Sequence, residues 1–147
     1  MQGTTHLTIG AAAGAAIALP TADLRALALG AALGGLAGLV PDWLQINIPG
    51  ASASIKGAFG HRGFSHWLWT AGAAAYLARL VWEPAAWPIL AGWGSHILLD
   101  ALSSGVPAFW PFGRLTLSRI KTGGRMDTLV GASGLVVLAA LLVTRRL

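Results

Sequence analysis

The sequence contains no cysteine and few charged residues. Of its 147 residues, 10% are charged, whereas a soluble globular domain carries about 25%. The absence of cysteine excludes disulfides and thiolate metal sites, so nitrogen and oxygen are the ligands left for any metal. The scarcity of charge, together with 55% hydrophobic residues and a mean hydropathy of +0.67, indicates a protein that lies in a membrane.

Basic residues are also missing from the N-terminal segment. Residues 1–7 hold no lysine or arginine, so the basic region of a signal peptide is absent and we expect the first apolar segment to be retained. The net charge of +5 does not favour nucleic acid, because the basic residues are scattered among loops between apolar segments. The length fits one domain, and we expect residues 1–147 to form a single membrane-embedded unit.

Apolar segments run through most of the chain and come near the length of about 20 residues that a membrane-spanning helix needs. Pro20 and Pro41 end the first two segments, and residues 21–23 resemble a turn and helix cap. The predicted segments are 7–19, 24–40, 66–82, 85–103 and 128–144. The sequence therefore predicts an all-α fold, an integral membrane bundle of about five helices.

Two longer polar stretches, 42–65 and 104–127, separate these segments. Loops of this length in a compact domain are usually functional or carry local structure. Residues 114–121 alternate polar with apolar, which predicts a short hairpin or an irregular insertion between the fourth and fifth helices.

Glycines recur at four-residue spacing in the first two segments. Such smooth stripes allow helix backbones to approach closely in lipid. They are Gly10 and Gly14 in the first segment and Gly30, Gly34 and Gly38 in the second. The tight connection at Glu83-Pro84 predicts an antiparallel pairing of the third and fourth helices, with Arg79 and Glu83 one turn apart in a structural role.

Six titratable side chains stand out in this apolar chain. They are His6, Asp42, His61, His66, His96 and Asp100. If the helices alternate in direction, all six lie on the same side of the membrane. His96 and Asp100 are one helical turn apart and share a face. His61 and His66 are separated by about 140° around an ideal helix, so we place His61 in the loop, with Ser65 as the helix cap and His66 in the first turn.

Imidazole and carboxylate ligands suit a divalent transition metal. They favour Zn²⁺, with Mn²⁺ and Fe²⁺ as alternatives. A catalytic zinc uses about three protein ligands, so six candidates nearly fill two sites, and we expect one or two ions. A water activated by the metal would be the nucleophile. Arg62 is placed to stabilise an anionic group such as phosphate, and we assign catalytic roles to Arg62 and Asp100.

Other roles stay open for these residues. His6 and Asp42 also fit interfacial positions at helix ends, and His61 and Arg62 fit contacts with anionic lipid. The pair of His96 and Asp100 fits a proton relay or a buried structural pair. An ionisable pair on a membrane helix nevertheless points first to a functional site.

The motifs around these residues resemble those of a known family. Pro41-Asp42, the run 61–66 (HRGFSH), the run 94–100 (GSHILLD) and Trp110-Pro111-Phe112 match the pattern of the YdjM-like membrane-bound metal-dependent hydrolases. These are also known as LexA-binding inner-membrane proteins. The joint pattern of HRGxSH and SHxxLD is specific, and the match covers residues 6–127.

The resemblance implies a bacterial or archaeal inner-membrane hydrolase. It implies as metal-site residues His6, Asp42, His61, His66, His96 and Asp100. The order is also similar to that of zinc-dependent phospholipase C and zinc-dependent single-strand nucleases, which favours phosphoester cleavage. Two positions depart from the family. Leu44 stands where the family often has a second acidic residue, which argues against a full two-metal complement, and Asp127 stands where relatives tend to have glutamate. We expect Asp127 to cap the fifth helix.

Basic residues predict the orientation in the membrane. On the side of the candidate site they are Lys56, Arg62, Arg114, Arg119, Lys121 and Arg125. On the opposite side they are Arg25, Arg79, Arg145 and Arg146. The positive-inside rule therefore places the site at the cytoplasmic face.

Two classes of function remain. The leading hypothesis is a membrane-bound metal-dependent hydrolase acting on a lipid or lipid-linked phosphoester. The alternative is a non-enzymatic membrane protein, either a metal or proton translocator or a scaffold that recruits a cytoplasmic regulator. A translocator needs polar residues distributed through the bilayer, whereas here they collect at one end, which favours the enzyme.

Overall fold

The computed structural model describes residues 1–18, 23–44, 46, 49–50, 52–60 and 62–144. The α-helices are α1 (Gly3–Ile17), α2 (Leu24–Ala37), α3 (Val40–Trp43), α4 (Ala53–Phe59), α5 (Leu68–Val81), α6 (Ala86–Ser103) and α7 (Arg125–Val143). Two 3₁₀ turns, Phe64–His66 and Glu83–Ala85, precede α5 and α6. The described part of the chain contains no β-strand, so the predicted all-α class is confirmed.

Two helical stretches among the described residues are both long enough and apolar enough to span a membrane. One is Leu24–Trp43, which comprises α2, the turn at Gly38 and Leu39, and α3, with a mean hydropathy of 1.6. The other is α7, with a mean hydropathy of 2.1. The apolar helix α5 is shorter. The bundle of about five membrane-spanning helices therefore stays a prediction.

Glycine forms the contacts among α1, α2 and α6. A methyl group on Gly34 of α2 would overlap the carbonyl oxygen of Gly10 in α1, and one on Gly92 of α6 would overlap the backbone of Gly34. Gly14 and Gly30 exclude a methyl group in the same way. The predicted glycine stripes of the first two helices are therefore their contact surfaces, and α6 adds Gly92, which was not predicted from the sequence.

The two ends of α2 follow different rules. Asp23 caps the start, because its carboxylate accepts a hydrogen bond from the backbone N–H of Arg25 at 2.9 Å, as the sequence predicted. The end differs, since α2 stops at Ala37, before Pro41, and Gly38 is its C-cap. Pro41 lies inside the short helix α3, where the first turn tolerates its missing N–H.

The start of α5 contradicts the prediction that Ser65 caps this helix. Phe64–His66 form a separate 3₁₀ turn, and α5 begins at Leu68 after Trp67, which makes no side-chain cap. Ser65 is instead buried, with its hydroxyl 3.0 Å from Nδ1 of His66. His66 therefore precedes the helix and is held by the 3₁₀ turn.

The segment between α6 and α7 is an irregular insertion. Its only pairing among the described residues is a single antiparallel bridge between Val106 and Leu115, so the hairpin alternative is wrong. The backbone N–H groups of Leu117 and Ile120 instead donate to carbonyl oxygens at the end of α6, at 2.8 and 2.9 Å. The alternating pattern thus reflects attachment to a helix end rather than a strand.

Candidate metal centre

Buried and half-buried titratable side chains gather at one end of the bundle. They are His6 of α1, Asp42 of α3, His66 of the 3₁₀ turn, and His96 and Asp100 of α6. The three imidazoles have no exposed surface, the Asp100 side chain is 2% exposed and that of Asp42 is 31% exposed. The structure thus brings together five of the six residues proposed from the sequence. The sixth, His61, lies outside the described residues.

Three ligand atoms from three different elements form a small triangle. Nε2 of His66 lies 3.1 Å from Nε2 of His96. Oδ1 of Asp42 lies 3.7 Å from Nε2 of His66 and 3.6 Å from Nε2 of His96. Oδ2 of Asp100 is also 3.7 Å from Nε2 of His66. One ligand atom from each of these four residues can be chosen so that all lie within 4.8 Å of one another.

This triangle fits a divalent ion. In a tetrahedral zinc site, ligands about 2.0–2.1 Å from the ion lie about 3.3–3.4 Å from one another. The three sides of 3.1, 3.6 and 3.7 Å bracket this value. Two imidazole nitrogens and two carboxylates form a donor set that suits Zn²⁺, Mn²⁺ or Fe²⁺. The residues present therefore could hold a metal ion.

Hydrogen bonds behind the two imidazoles fix their orientation. Nδ1 of His96 lies 2.7 Å from the carbonyl oxygen of Gly38, so the ring donates there and directs Nε2 into the cluster. Nδ1 of His66 contacts the Ser65 hydroxyl, and the Ser65 carbonyl accepts a hydrogen bond from the Trp93 indole at 2.8 Å. Both rings are held as metal-ligating histidines commonly are.

Asp100 connects the cluster to three further groups. Its Oδ1 lies 2.6 Å from the α-amino nitrogen of Met1 and 3.3 Å from Nε2 of His6. Its Oδ2 lies 3.1 Å from Nε of Arg62. A carboxylate with so little exposure is stabilised by such neighbours, because an isolated buried charge is costly.

His6 lies beside the four-residue group. Its ring stacks on that of His96, with centroids 3.8 Å apart and planes inclined by 21°. Nε2 of His6 contacts Oδ1 of Asp100 at 3.3 Å, and Nδ1 has no hydrogen-bond partner in the described part of the chain. Buried polar atoms are rarely left in this state, and each one calls for an explanation such as an ion or water. His6 is therefore suited to a ligand outside the triangle.

Arg62 precedes the 3₁₀ turn in an uncommon backbone conformation, with φ at 60°. Its side chain contacts Asp100 through Nε and the Ser104 hydroxyl through Nη1. The guanidinium is thus fixed next to the cluster, where an anion-binding group was predicted from the sequence.

Asp127 differs from the helix cap that the sequence predicted. It lies inside the first turn of α7, and Gly124 is the N-cap. Its carboxylate accepts hydrogen bonds from the backbone N–H groups of Gly123 and Gln2, at 2.8 and 3.0 Å, and from the Thr5 hydroxyl at 2.7 Å. Asp127 therefore ties α7 to the start of α1, which carries His6.

Several groups that shape the site were missed from the sequence. The adjacency of Ser65 to His66 was visible, but the serine was interpreted as a helix cap. The Gly38 carbonyl becomes available because α2 ends before Pro41, and no sequence signal shows which backbone oxygen a distant histidine contacts. Ser104 carried no signal of its own, since a serine after a helix is common.

Comparison with known proteins identifies a family. The model of the YdjM inner membrane protein family matches residues 1–146. No curated protein and no solved structure matches the chain. The family indicated by the HRGxSH and SHxxLD motifs is thereby confirmed. The chain belongs to the YdjM inner membrane protein family, and its histidine and aspartate motifs meet in a cluster that could hold a metal ion.

Proposed function

We propose that this protein is a membrane-bound hydrolase that cleaves a phosphoester with the help of a divalent metal ion. The observation that supports this most is the triangle formed by His66, His96 and Asp42, whose sides match the ligand spacing of a tetrahedral zinc site. Three protein ligands and one further position are what a catalytic zinc uses. Zn²⁺ is our preferred ion.

A side chain of the protein can bind an anion beside the cluster. A bound divalent ion contributes water activation and neutralisation of phosphate charge. Arg62, held 3.1 Å from Asp100, presents a planar guanidinium that suits the non-bridging oxygens of a phosphoester. In the reaction, the water oxygen bonds to phosphorus and the bond from phosphorus to the alcohol oxygen breaks. Asp100 accepts the proton from water and delivers it to the oxygen of the leaving alcohol.

One or two ions fit this proposal. The triangle of His66, His96 and Asp42 accounts for one ion, and His6 with Oδ1 of Asp100, 3.3 Å apart, begins a second position. Leu44 provides no carboxylate for it. We therefore propose one ion in the triangle, with His6 available to a second.

We place the site at the cytoplasmic face of the inner membrane, on the basis of the arginine and lysine count. With five spans, a reporter fused after Leu147 would then lie on the opposite, periplasmic side. Reporter activity typical of the cytoplasm would contradict this orientation.

Metal content and hydrolysis test the proposal together. The purified protein is compared with the double variant His96→Ala/Asp100→Ala, with the exposed Glu83→Gln as the matched control. We expect metal in the unmodified protein and the control, and background metal in the double variant. Hydrolysis of p-nitrophenyl phosphate or bis(p-nitrophenyl) phosphate should follow the metal. Equal metal in all three proteins would overturn the metal site. Bound metal without hydrolysis of either ester would favour the non-enzymatic alternative.

A further inference from the structure

A cavity opens beside the metal cluster, between α4 and the insertion that follows α6. Its volume is about 490 Å³. Arg62 lies in its wall and also contacts Asp100. The cavity is therefore connected to the candidate metal centre through one side chain.

Two arginines, Arg62 and Arg114, lie in the wall of this cavity, and Arg62 is also paired with Asp100. Arg62 donates to the Ser104 hydroxyl and Arg114 donates to the carbonyl oxygen of Gly105 at 2.7 Å, so both guanidiniums are anchored to consecutive residues after α6. Each guanidinium has five N–H donors, more than these anchors use. Among the described residues that line the cavity, none is acidic. The wall therefore favours an anion with several acceptor oxygens, such as phosphate.

The remainder of the lining is apolar and aromatic. Phe59 and Ile55 of α4 lie on one side, and Trp67 and Trp110 stack on the other with centroids 4.4 Å apart. Phe59, Ile55 and Trp110 are also exposed at the surface, and the neighbouring Phe112 is 84% exposed. Large apolar side chains around a cavity mouth mark a surface that contacts apolar material. In an inner-membrane protein, that material is the acyl region of the bilayer.

We propose that this cavity binds the phosphate headgroup of a membrane lipid, with the phosphate between Arg62 and Arg114 and the acyl chains leaving along the aromatic rim. The inference rests on the proposed function, because it names the substrate class of the same site as a phosphoester of a lipid alcohol. It assigns to Arg114 a binding role that the motifs do not indicate. Since Arg62 contacts Asp100, a phosphate held there lies next to the cluster.

Lipid retention tests the proposal without requiring turnover. The full protein is purified in detergent with EDTA, incubated with phosphatidic acid, and the retained lipid is measured by native mass spectrometry. Diacylglycerol with the same chains lacks the phosphate, and glycerol 3-phosphate lacks the chains. We expect phosphatidic acid to be retained over diacylglycerol, and glycerol 3-phosphate at equal concentration not to displace it. Equal retention of both lipids overturns the proposal, and displacement by glycerol 3-phosphate shows a site for soluble anions.

Substitutions of Arg114 test whether this residue is responsible for the retention of phosphatidic acid. Arg114→Gln removes the charge, and loss of a charged hydrogen bond should lower retention of phosphatidic acid about tenfold or more. Arg79→Gln is the matched control, because this exposed arginine lies at the other end of the bundle next to Glu83. Arg114→Lys restores the charge and should recover part of the retention. Equal loss in Arg114→Gln and Arg79→Gln, or no recovery with lysine, overturns the assignment.

The outcomes for binding and for hydrolysis are separable. Retention that depends on Arg114 without hydrolysis of any phosphoester would preserve the lipid site and reject the enzyme. Hydrolysis of soluble phosphoesters without selective retention of phosphatidic acid would preserve the enzyme and reject the lipid site.

Discussion

The helices α1, α2 and α6, which pack on one another through glycine, differ in their exposed surface from α5 and α7, called here the outer helices, although Gly134 of α7 also lies against the backbone of Thr8 in α1. The inner helices carry His6, His96 and Asp100, all nearly without exposed surface. The outer helices expose apolar side chains along their length, among them Leu80 of α5 and Val136 of α7. His6, His96 and Asp100 are thus buried where backbones touch, and the outer helices supply apolar surface, with Asp127 in the first turn of α7 as a buried exception.

This difference indicates how the cluster keeps its geometry. A catalytic or metal site needs its ligands held within about 0.5 Å, which rigid elements achieve better than loops. The contact of Gly92 with Gly34 fixes α6 against α2, and this contact also brings His96 to the Gly38 carbonyl. The inner helices therefore set the positions of His6, His96 and Asp100, whereas Asp42 and His66 are positioned by α3 and the 3₁₀ turn.

The largest effect is expected from Gly92→Ala, which tests the inner contact. The added methyl group would overlap the backbone of Gly34, which cannot rotate away as a side chain could. Overpacking typically costs about 1–3 kcal/mol, and we expect the upper end or more. The measurement is thermal unfolding in detergent, followed by tryptophan fluorescence.

The matched control for this substitution is Gly94→Ala, two residues further along α6. A methyl group there meets no atom within 4 Å, and alanine favours a helix over glycine by about 1 kcal/mol. We expect this variant to unfold at the same or a higher temperature than the unmodified protein. Equal destabilisation by both variants would contradict the close contact of α2 and α6.

A smaller effect is expected from Ser65→Ala, which separates ligand geometry from stability. Ser65 lies outside the inner helices and contacts Nδ1 of His66 at 3.0 Å. Loss of such an outer hydrogen bond typically lowers metal affinity about 10–100-fold. The measurement is zinc affinity by competition with a chelating dye. Ser133→Ala, which removes an exposed hydroxyl within α7, should leave the affinity unchanged. A similar affinity in both variants would show that the hydroxyl does not orient the ring.

Much of the helical framework could be predicted from apolar length and breakers. The cap at Asp23 and the glycine stripes were local signals, and both correspond to contacts in the structure. The co-location of the histidines and aspartates followed from alternating helix directions, because residues at alternate helix ends share one face. Gly92 was missed, because a single glycine in a helical sequence does not indicate which other helix packs against it.

The remaining features depend on tertiary contacts that local sequence does not encode. The alternation at 114–121 resembles a strand, but without a neighbouring strand its N–H groups donate to the end of α6. Ser65 has the chemistry of a helix cap, and its pairing with the His66 ring is decided by the 3₁₀ turn. Asp127 precedes an apolar run, and its bond to Thr5 of α1 depends on how α7 lies against α1.

The smallest effect is expected from Glu83→Gln, in the 3₁₀ turn that connects the outer helix α5 to α6. Glu83 pairs with Arg79 at 3.3 Å, one helical turn away, with 74% and 62% of the two side chains exposed. Exposed ion pairs contribute about 0–1 kcal/mol, and salt screens them further. Thermal unfolding at low and high salt should therefore give nearly the same midpoint as the unmodified protein. A loss comparable with that of Gly92→Ala would mean that the outer connection, and not only glycine packing, holds α5 and α6 in place and so positions His96.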